Sequence, residues 1–383
     1  MDKEKLWEVT TVFLKLGLIA FGGPAAHTAM MKEEFVERRK WVSEQRFLDL
    51  MSASNLIPGP NSTELAIHLG YVRAGWLGLI LAGACFILPA MLIVLALAYI
   101  YMEFGNMPEL GSILYGMKPV IMAIVIHALW GLGKTAVKNT TLAIIGGVAA
   151  VLAFAGVNEI LLLVLAGGLM YFLYKRKERG QQAHALLPPT LPFLMVSSAP
   201  ALLTGAAKTA AVGQLFWTFL KIGSVLYGSG YVLLAFLQSE FVEKWQVLTP
   251  QQLLDAVAIG QFTPGPVFTT ATFVGYVVAG TPGAIVSTVG IFLPAFVFVA
   301  LVNPWVEKLR SSQATGALLD GINVGSLALM AVVTLQLGMA SLIDGLSIVL
   351  ALVSLVIVFR YKINSAWLVL GGGVIGMLSG YLS

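Results

Sequence analysis

"SNLIPGPNSTE" (residues 54–64) interrupts a chain made mostly of membrane-type residues. Two prolines flank a glycine, and Asn61, Ser62, Thr63 and Glu64 follow. Proline has no N–H to donate, so Pro58-Gly59-Pro60 opens two gaps in a helical hydrogen-bond ladder around a flexible residue. Hydrocarbon supplies no replacement partners. Non-helical backbone at membrane depth therefore survives only where it is buried in protein or lines a cavity. A near copy, "GQFTPGPVFTT" (residues 260–270), recurs in the second half with Pro264-Gly265-Pro266 at its centre.

The surrounding composition fixes the solvent. Of 383 residues, 58% are hydrophobic and only 11% charged, with mean hydropathy +0.87. A soluble domain carries about 25% charged residues. Uncharged windows cover 74–102, 139–158, 180–207, 256–306, 321–343 and 363–383. Each can hold a spanning helix of about 20 residues, and none shows the alternation of a β-barrel. The expectation is an all-α polytopic membrane protein. One cysteine, Cys85, excludes a disulfide framework, and no Cys/His spacing suits a metal, so no metal or cofactor is expected. The net charge of +4 follows from Lys and Arg in short loops and calls for no nucleic acid.

The chain is written twice. Phe13-Leu14-Lys15 matches Phe219-Leu220-Lys221, and Gly17 and Gly22 match Gly223 and Gly228. Glu34-Phe35-Val36-Glu37 matches Glu240-Phe241-Val242-Glu243, and Pro58 to Pro264 keeps the same offset of 206. After one deletion Leu88-Pro89-Ala90 matches Leu293-Pro294-Ala295, and Gly116 matches Gly321. This register predicts two homologous halves, 1–175 and 211–383, joined by a linker at 176–210 with an extra span near 185–207. An internal twin also argues against a cleaved signal peptide at the N-terminus. Lys134, Lys138 and 175–179 mark positive loops in the first half, whereas Lys308, Arg310, Arg360 and Lys362 mark the complementary loops in the second. Positive loops face the cytoplasm, so the halves are expected in opposite orientation, with the N-terminus cytoplasmic and the C-terminus extracytoplasmic. Such inverted repeats place a substrate site near the midplane of secondary transporters. Four full spans are expected per half, near 76–101, 112–133, 140–156 and 159–174, then 283–304, 315–337, 344–359 and 366–382. The segments around each PGP are expected as broken, re-entrant hairpins, started by N-caps at Ser43 and Thr249.

The breaks carry the chemistry. A helix restarting after PGP presents unpartnered N–H groups and its positive dipole end, an anion site inside the membrane. Asn61, Ser62 and Thr63 supply further donors in one half and Thr269 and Thr270 in the other; Asn55 and Gln261 stand just ahead of each break. Lys15 and Lys221 occupy equivalent places in apolar helices ahead of glycine breaks, Gly22-Gly23 and Gly228-Ser229. Intramembrane cations line pathways or pair with partners, and two of them suit a dianion; snorkelling of both side chains to an interface is the equal alternative. Glu64 has no twin, since Thr270 stands in its place, and is the candidate carrier of a coupling proton. Glu34, Glu37, Glu240 and Glu243 read as solvated loop charges or gate-forming partners for Arg38 and Arg39, Asp49 and Asp255 as helix-surface or loop-pairing residues, and the unrepeated His27, His68, His127 and His184 as structural.

The stretches "FLKLGLIAFGGPAAH", "EEFVERRKWVSEQRFLDLMSASNLIPGPNST", "FLKIGSVLYGSGYVL" and "AVAIGQFTPGPVFTTATFVGYVVAG" together resemble the chromate ion transporter family in its long, two-domain form. The resemblance implies a bacterial or archaeal inner-membrane protein that exports chromate, with sulfate as the related tetrahedral dianion. It maps functional positions onto Lys15, Gly22, Gly23, Pro24, Asn55, Pro58, Gly59 and Pro60. Gly230 departs from the pattern where the first half has Pro24, and "NLIPGPNSTE" is more polar than the "QFLPGPASSQ" type, so a sulfate or other oxyanion preference stays open. The expected partners are chromate or sulfate and membrane lipid, with a homodimer allowed. No GxxxxGK[ST] motif occurs, so an ion or substrate gradient is the expected energy source. A passive anion channel is the competing reading; an enzyme acting on lipid phosphate would need an Asp, His or Arg cluster that the sequence lacks.

Overall fold

A computed structural model of the chain describes residues 2–105, 107–179, 207–227, 230–303, 313–361 and 363–382. Among these there is no strand, and helices carry nearly the whole path. Gly228 and Ser229, all but the last residue of the linker span expected at 185–207, and Lys308, Arg310 and Lys362 lie outside the described residues.

In the first half α1 (Lys3–Ile19) stops at Ala20, and α2 (Gly23–Lys32) restarts with Pro24 in its first turn and runs into a π-helical turn at Glu33–Arg38. The sequence-predicted cap is in place: the Ser43 side chain accepts from the Arg46 N–H and starts α3 (Glu44–Ser54). After the PGP, α4 (Asn61–Phe104) runs on, with non-helical backbone at Ala74 and Gly75 dividing it into a short limb, 61–73, and a long one, 76–104. Then come α5 (Pro108–Ala136), α6 (Thr140–Phe154) and α7 (Glu159–Arg179).

The second half repeats this order. α8 (Ala207–Val225) precedes a break, α9 (Leu233–Leu237) and a π-helical turn at Gln238–Lys244. α10 (Pro250–Phe262) starts on a complete Thr249/Gln252 capping box. α11 (Thr270–Val302) bends at Ala279 and Gly280, the equivalents of Ala74 and Gly75. α12 (Gln313–Ser341), α13 (Gly345–Arg360) and α14 (Ser365–Leu382) complete the chain.

The multi-pass character is plain from four helices long and apolar enough to cross a bilayer among the described residues, Asn61–Phe104, Pro108–Ala136, Val267–Val302 and Gln313–Ser341. The stretches expected as full spans at 140–156 and 344–359 form helices of only 15 and 16 residues. At 1.5 Å per residue these are about 22–24 Å long, short of the ~30 Å hydrocarbon core. Side-chain caps at Asn139 and Asp344 start them at Thr140 and Gly345.

The halves are interlocked. α5 packs on α13 and α14 of the other half, and reciprocally α12 packs on α6 and α7. Small residues permit the approach: a Cβ on Gly116 would collide with Gly372 and Gly376, and one on Gly321 with Ala166 and Gly167. Close backbone contact through small residues is how helices associate where no hydrophobic drive exists between them.

Candidate functional site

The two PGP segments dock into each other's halves. The Gly59 N–H donates to the Leu226 carbonyl at 2.8 Å, and the Gly265 N–H donates to the Ala20 carbonyl, also at 2.8 Å. Ala20 and Leu226 are the residues where α1 and α8 stop, so each break satisfies a carbonyl that the other half's broken helix leaves open. A Cβ on Gly59 would also approach Ala295, and one on Gly265 would come within 2.8 Å of the Ala90 Cβ; both alanines belong to the repeated Leu-Pro-Ala motif. Gly59 and Gly265 have φ of +133° and +93°, in the region that favours glycine. Both glycine amides are thus committed to the crossover.

Past the crossover the halves diverge. The short limb of α4 is buried from Ser62 to Gly70, although it carries Ser62, Thr63, Glu64 and His68. The Thr63 and Glu64 amides donate to the Pro60 carbonyl at 2.7 and 3.0 Å, which leaves those of Asn61 and Ser62 as the donors of the helix start. The Asn61 side chain donates from Nδ2 to Asn55 Oδ1 at 2.6 Å, clasping the loop across the break and leaving the Asn61 backbone N–H uninvolved. The Thr63 hydroxyl and both Glu64 carboxyl oxygens are buried and have no hydrogen-bond partner among the described residues. The Gly59 Cα lies against Glu64, so that a Cβ there would collide with Oε1. Tyr227, from the second half's break, is near enough to interact electrostatically with Glu64.

In the second half the hydroxyls turn inward. Thr269 Oγ1 donates to the Pro266 carbonyl and Thr270 Oγ1 to the Val267 carbonyl, both at 2.8 Å, with a 3₁₀ turn at Val267–Thr269 between the PGP and α11. Their protons are spent on their own turn, so they are not the free donors expected from the sequence. Gln261 is the donor that remains. It is buried, lies beside the Tyr231 phenol, and its Nε2 has no partner among the described residues. Tyr231 in turn faces the first half's break, where a Cβ on Gly23 would lie 3.9 Å from its hydroxyl. Gly22 is exposed, with φ +102°.

The lysines occupy the ends of this arrangement. Lys221 is ion-paired with Glu240 at 2.6 Å, and Lys244 bridges Glu240 and Glu159 at 3.1 and 3.3 Å. The Lys221 charge is therefore already matched by a carboxylate of the π-helical turn, one of those expected as loop charges or gate-forming partners. Lys15 is exposed on α1. Its equivalent carboxylate, Glu34, is held by Arg38 and Arg39 at 2.8 and 2.6 Å. Burial opposes ionisation of Glu34, but these guanidinium groups outweigh it and keep the carboxyl below its ordinary range. Arg39 also meets Glu8, whose other oxygen takes Arg73 at 2.6 Å beside the α4 bend. Lys32 of α2 pairs separately with Glu44 at the start of α3, at 2.5 Å.

Sequence reading missed a second intramembrane charge. Lys118 of α5 stands 3.0 Å from Asp255 of α10 as an ion pair, and Tyr101 of α4 donates to the same carboxylate at 3.1 Å. A lone lysine within an apolar span was the available signal. His27, expected as structural, is buried, and its ring bridges the Ala20 carbonyl and the Ser62 hydroxyl.

The sequence profile of chromate transporters matches residues 7–172 and again 213–377. A chromate transport protein of Cupriavidus metallidurans is 30% identical over 98% of this chain and 93% of its own. One from Pseudomonas aeruginosa is 34% identical over 96% and 90%, and a probable chromate transport protein of Synechococcus elongatus is 31% identical over 92% and 89%. No solved structure matches. Two profile matches in tandem and full-length similarity make the chain a transporter rather than an enzyme, and it belongs to the chromate transporter family.

Proposed function

We propose that this chain is a secondary active transporter of tetrahedral oxyanions, exporting chromate across the inner membrane with sulfate as the related substrate. The supporting observation is the first-half break: a buried helix start with the Asn61 and Ser62 amides, the unpartnered Thr63 hydroxyl and the unpartnered Glu64 carboxyl. Buried polar groups without partners are costly and rare, so their collection at one helix start is well explained by a ligand. Gln261 offers a further donor from the opposite half. Asn55, Pro58, Gly59 and Pro60, with Pro264, Gly265 and Pro266, hold the crossover open around it.

In this reading residues 1–175 and 211–383 are inverted repeats on either side of the linker, and the PGP hairpins enter and leave on one side. The N-terminus is cytoplasmic and the C-terminus extracytoplasmic. Anion and proton share the break, with Glu64 carrying the coupling proton, and the halves rock about the crossed PGP segments. Lys15 and Lys221 act at the approaches, where Lys221 exchanges its carboxylate partner for the passing dianion.

The test is flux of labelled chromate and sulfate in proteoliposomes under imposed pH gradients, for wild type, Lys15→Ala and Lys221→Ala. Saturable, counterflow-competent flux that falls in both lysine variants is expected. Unsaturated voltage-driven current would instead mark a passive channel, and wild-type flux in both variants would remove the lysines from the pathway.

A further inference from the structure

His27 occupies the junction between the crossover and the anion-binding helix start. It lies on α2, 1% exposed, with its ring edge-on to Phe86 at 5.5 Å. Nε2 is 3.0 Å from the Ala20 carbonyl, the same oxygen that receives the Gly265 N–H, and Nδ1 is 3.2 Å from Ser62 Oγ. A carbonyl oxygen only accepts, so Nε2 carries the hydrogen. In the neutral ring Nδ1 is then an acceptor, and the Ser62 hydroxyl must donate to it. The Ser62 proton is thereby turned away from the break, and the hydroxyl can offer an oxyanion only lone pairs.

One proton reverses this. When Nδ1 is protonated the ring donates to Oγ, and the Ser62 hydroxyl proton is released to turn toward a ligand at the helix start. The imidazolium also places a positive charge beside a dianion, which the site otherwise lacks, because Lys221 is paired and Lys15 is exposed. We infer that His27 is a proton-binding site linked to the anion: uptake of a proton at Nδ1 converts Ser62 into a donor for the oxyanion, so anion and proton are bound together. The balance is one proton taken from the accessible aqueous side on binding and returned on release. This rests on the first-half break being the anion site.

The other ionisable groups around His27 are few. α4 brings Glu64, two residues beyond Ser62, and the buried His68, whose ring meets Asn303 at 3.3 Å. The π-helical turn following α2 brings Glu34, which is committed to Arg38 and Arg39, and α1 brings Lys15. The long limb of α4 contributes Phe86, and the second half contributes the Tyr231 phenol near Gly23. His27 has no twin, since Leu233 stands at the equivalent position of the second half.

The test uses full-length protein in proteoliposomes, measuring apparent sulfate and chromate affinity against pH in wild type, Glu64→Gln, His27→Gln and Ser62→Ala. Glutamine retains one donor for Ala20 and one acceptor for Ser62 but takes up no proton. A single linked proton makes apparent affinity rise up to about tenfold per pH unit as pH falls through the linked range. Glu64→Gln is expected to lose only the share of the slope that Glu64 itself carries and to keep about one unit through His27, whereas His27→Gln loses that unit while still transporting. If His27→Gln does not assemble, Ser62→Ala decides: a diminished slope supports the hydroxyl relay, and an unchanged slope overturns it. An unchanged slope in transporting His27→Gln overturns it equally. Absence of wild-type flux for both anions at every pH would instead remove the anion site itself.

Discussion

The two PGP breaks share one scaffold and differ in chemistry. Each glycine amide crosses to the carbonyl of the opposite broken helix at 2.8 Å, each PGP rests on the alanine of a Leu-Pro-Ala motif, and each short limb ends at an Ala-Gly bend. Beyond that point the second half satisfies its hydroxyls on its own turn, whereas the first half leaves Thr63 and Glu64 without partners and holds Ser62 on a histidine. Duplicated geometry and unduplicated polarity point to a division of labour. The crossover is built twice, and on the proposed function the titratable chemistry belongs to the first half alone.

The strongest challenge to this comparison is to disturb the shared part. Gly59→Ala and Gly265→Ala force a side chain into positive φ, a strain of roughly 1–3 kcal/mol at each site. Both are expected to lower thermal stability in detergent and cut flux to less than a tenth of wild type. Stability and flux preserved in either variant would break the symmetry of the crossover.

Threonine substitutions sharpen the contrast. Thr63→Val removes a buried hydroxyl with no protein partner, so stability should hold or rise while anion affinity falls about fivefold, the worth of one hydrogen bond near 1 kcal/mol. Thr270→Val removes a satisfied hydroxyl and should do the reverse, lowering stability by about 1 kcal/mol with affinity within twofold of wild type. Thermal shift and flux titration on the same preparations give both readings. Equal effects of the two changes would end the division of labour.

A smaller effect is expected at the ends. Lys221→Ala leaves Glu240 with Lys244, so flux should fall severalfold with the protein still assembled. Smallest is the acid response of the Arg38–Glu34–Arg39 cluster. The Glu34 carboxyl sits below its ordinary value, so its stabilisation is complete above that value and is lost as pH falls through the lower, folded one. Thermal stability should decline below about pH 4.5, and Glu34→Gln should flatten that part of the profile.

Much of this was legible in the sequence. The PGP copies marked the breaks, the offset of 206 identified equivalent residues, and Ser43 and Thr249 announced α3 and α10. Local signals carry that information. What was not legible depended on which elements meet: Lys221 with Glu240, Lys118 with Asp255, and His27 with Ser62. The His27–Ser62 contact joins two elements that the repeat pattern does not connect, so repetition alone cannot reveal it. The inward rotation of Thr269 and Thr270 was equally hidden, since a hydroxyl after a PGP can bond its own turn or a ligand with the same sequence.

The exchange of α5 for the partner half's α13 and α14 bears on how the molecule is made. Helices inserted early in synthesis have their main packing partners at the far end of the chain, so α5 must wait in the bilayer with its glycine face uncovered until α14 arrives. Long-range closure of this kind slows assembly. It also makes the last helix a checkpoint: a chain truncated before Ser365 leaves α5 without the surface that Gly116 is shaped to meet, and the defect appears in the half that was synthesised intact.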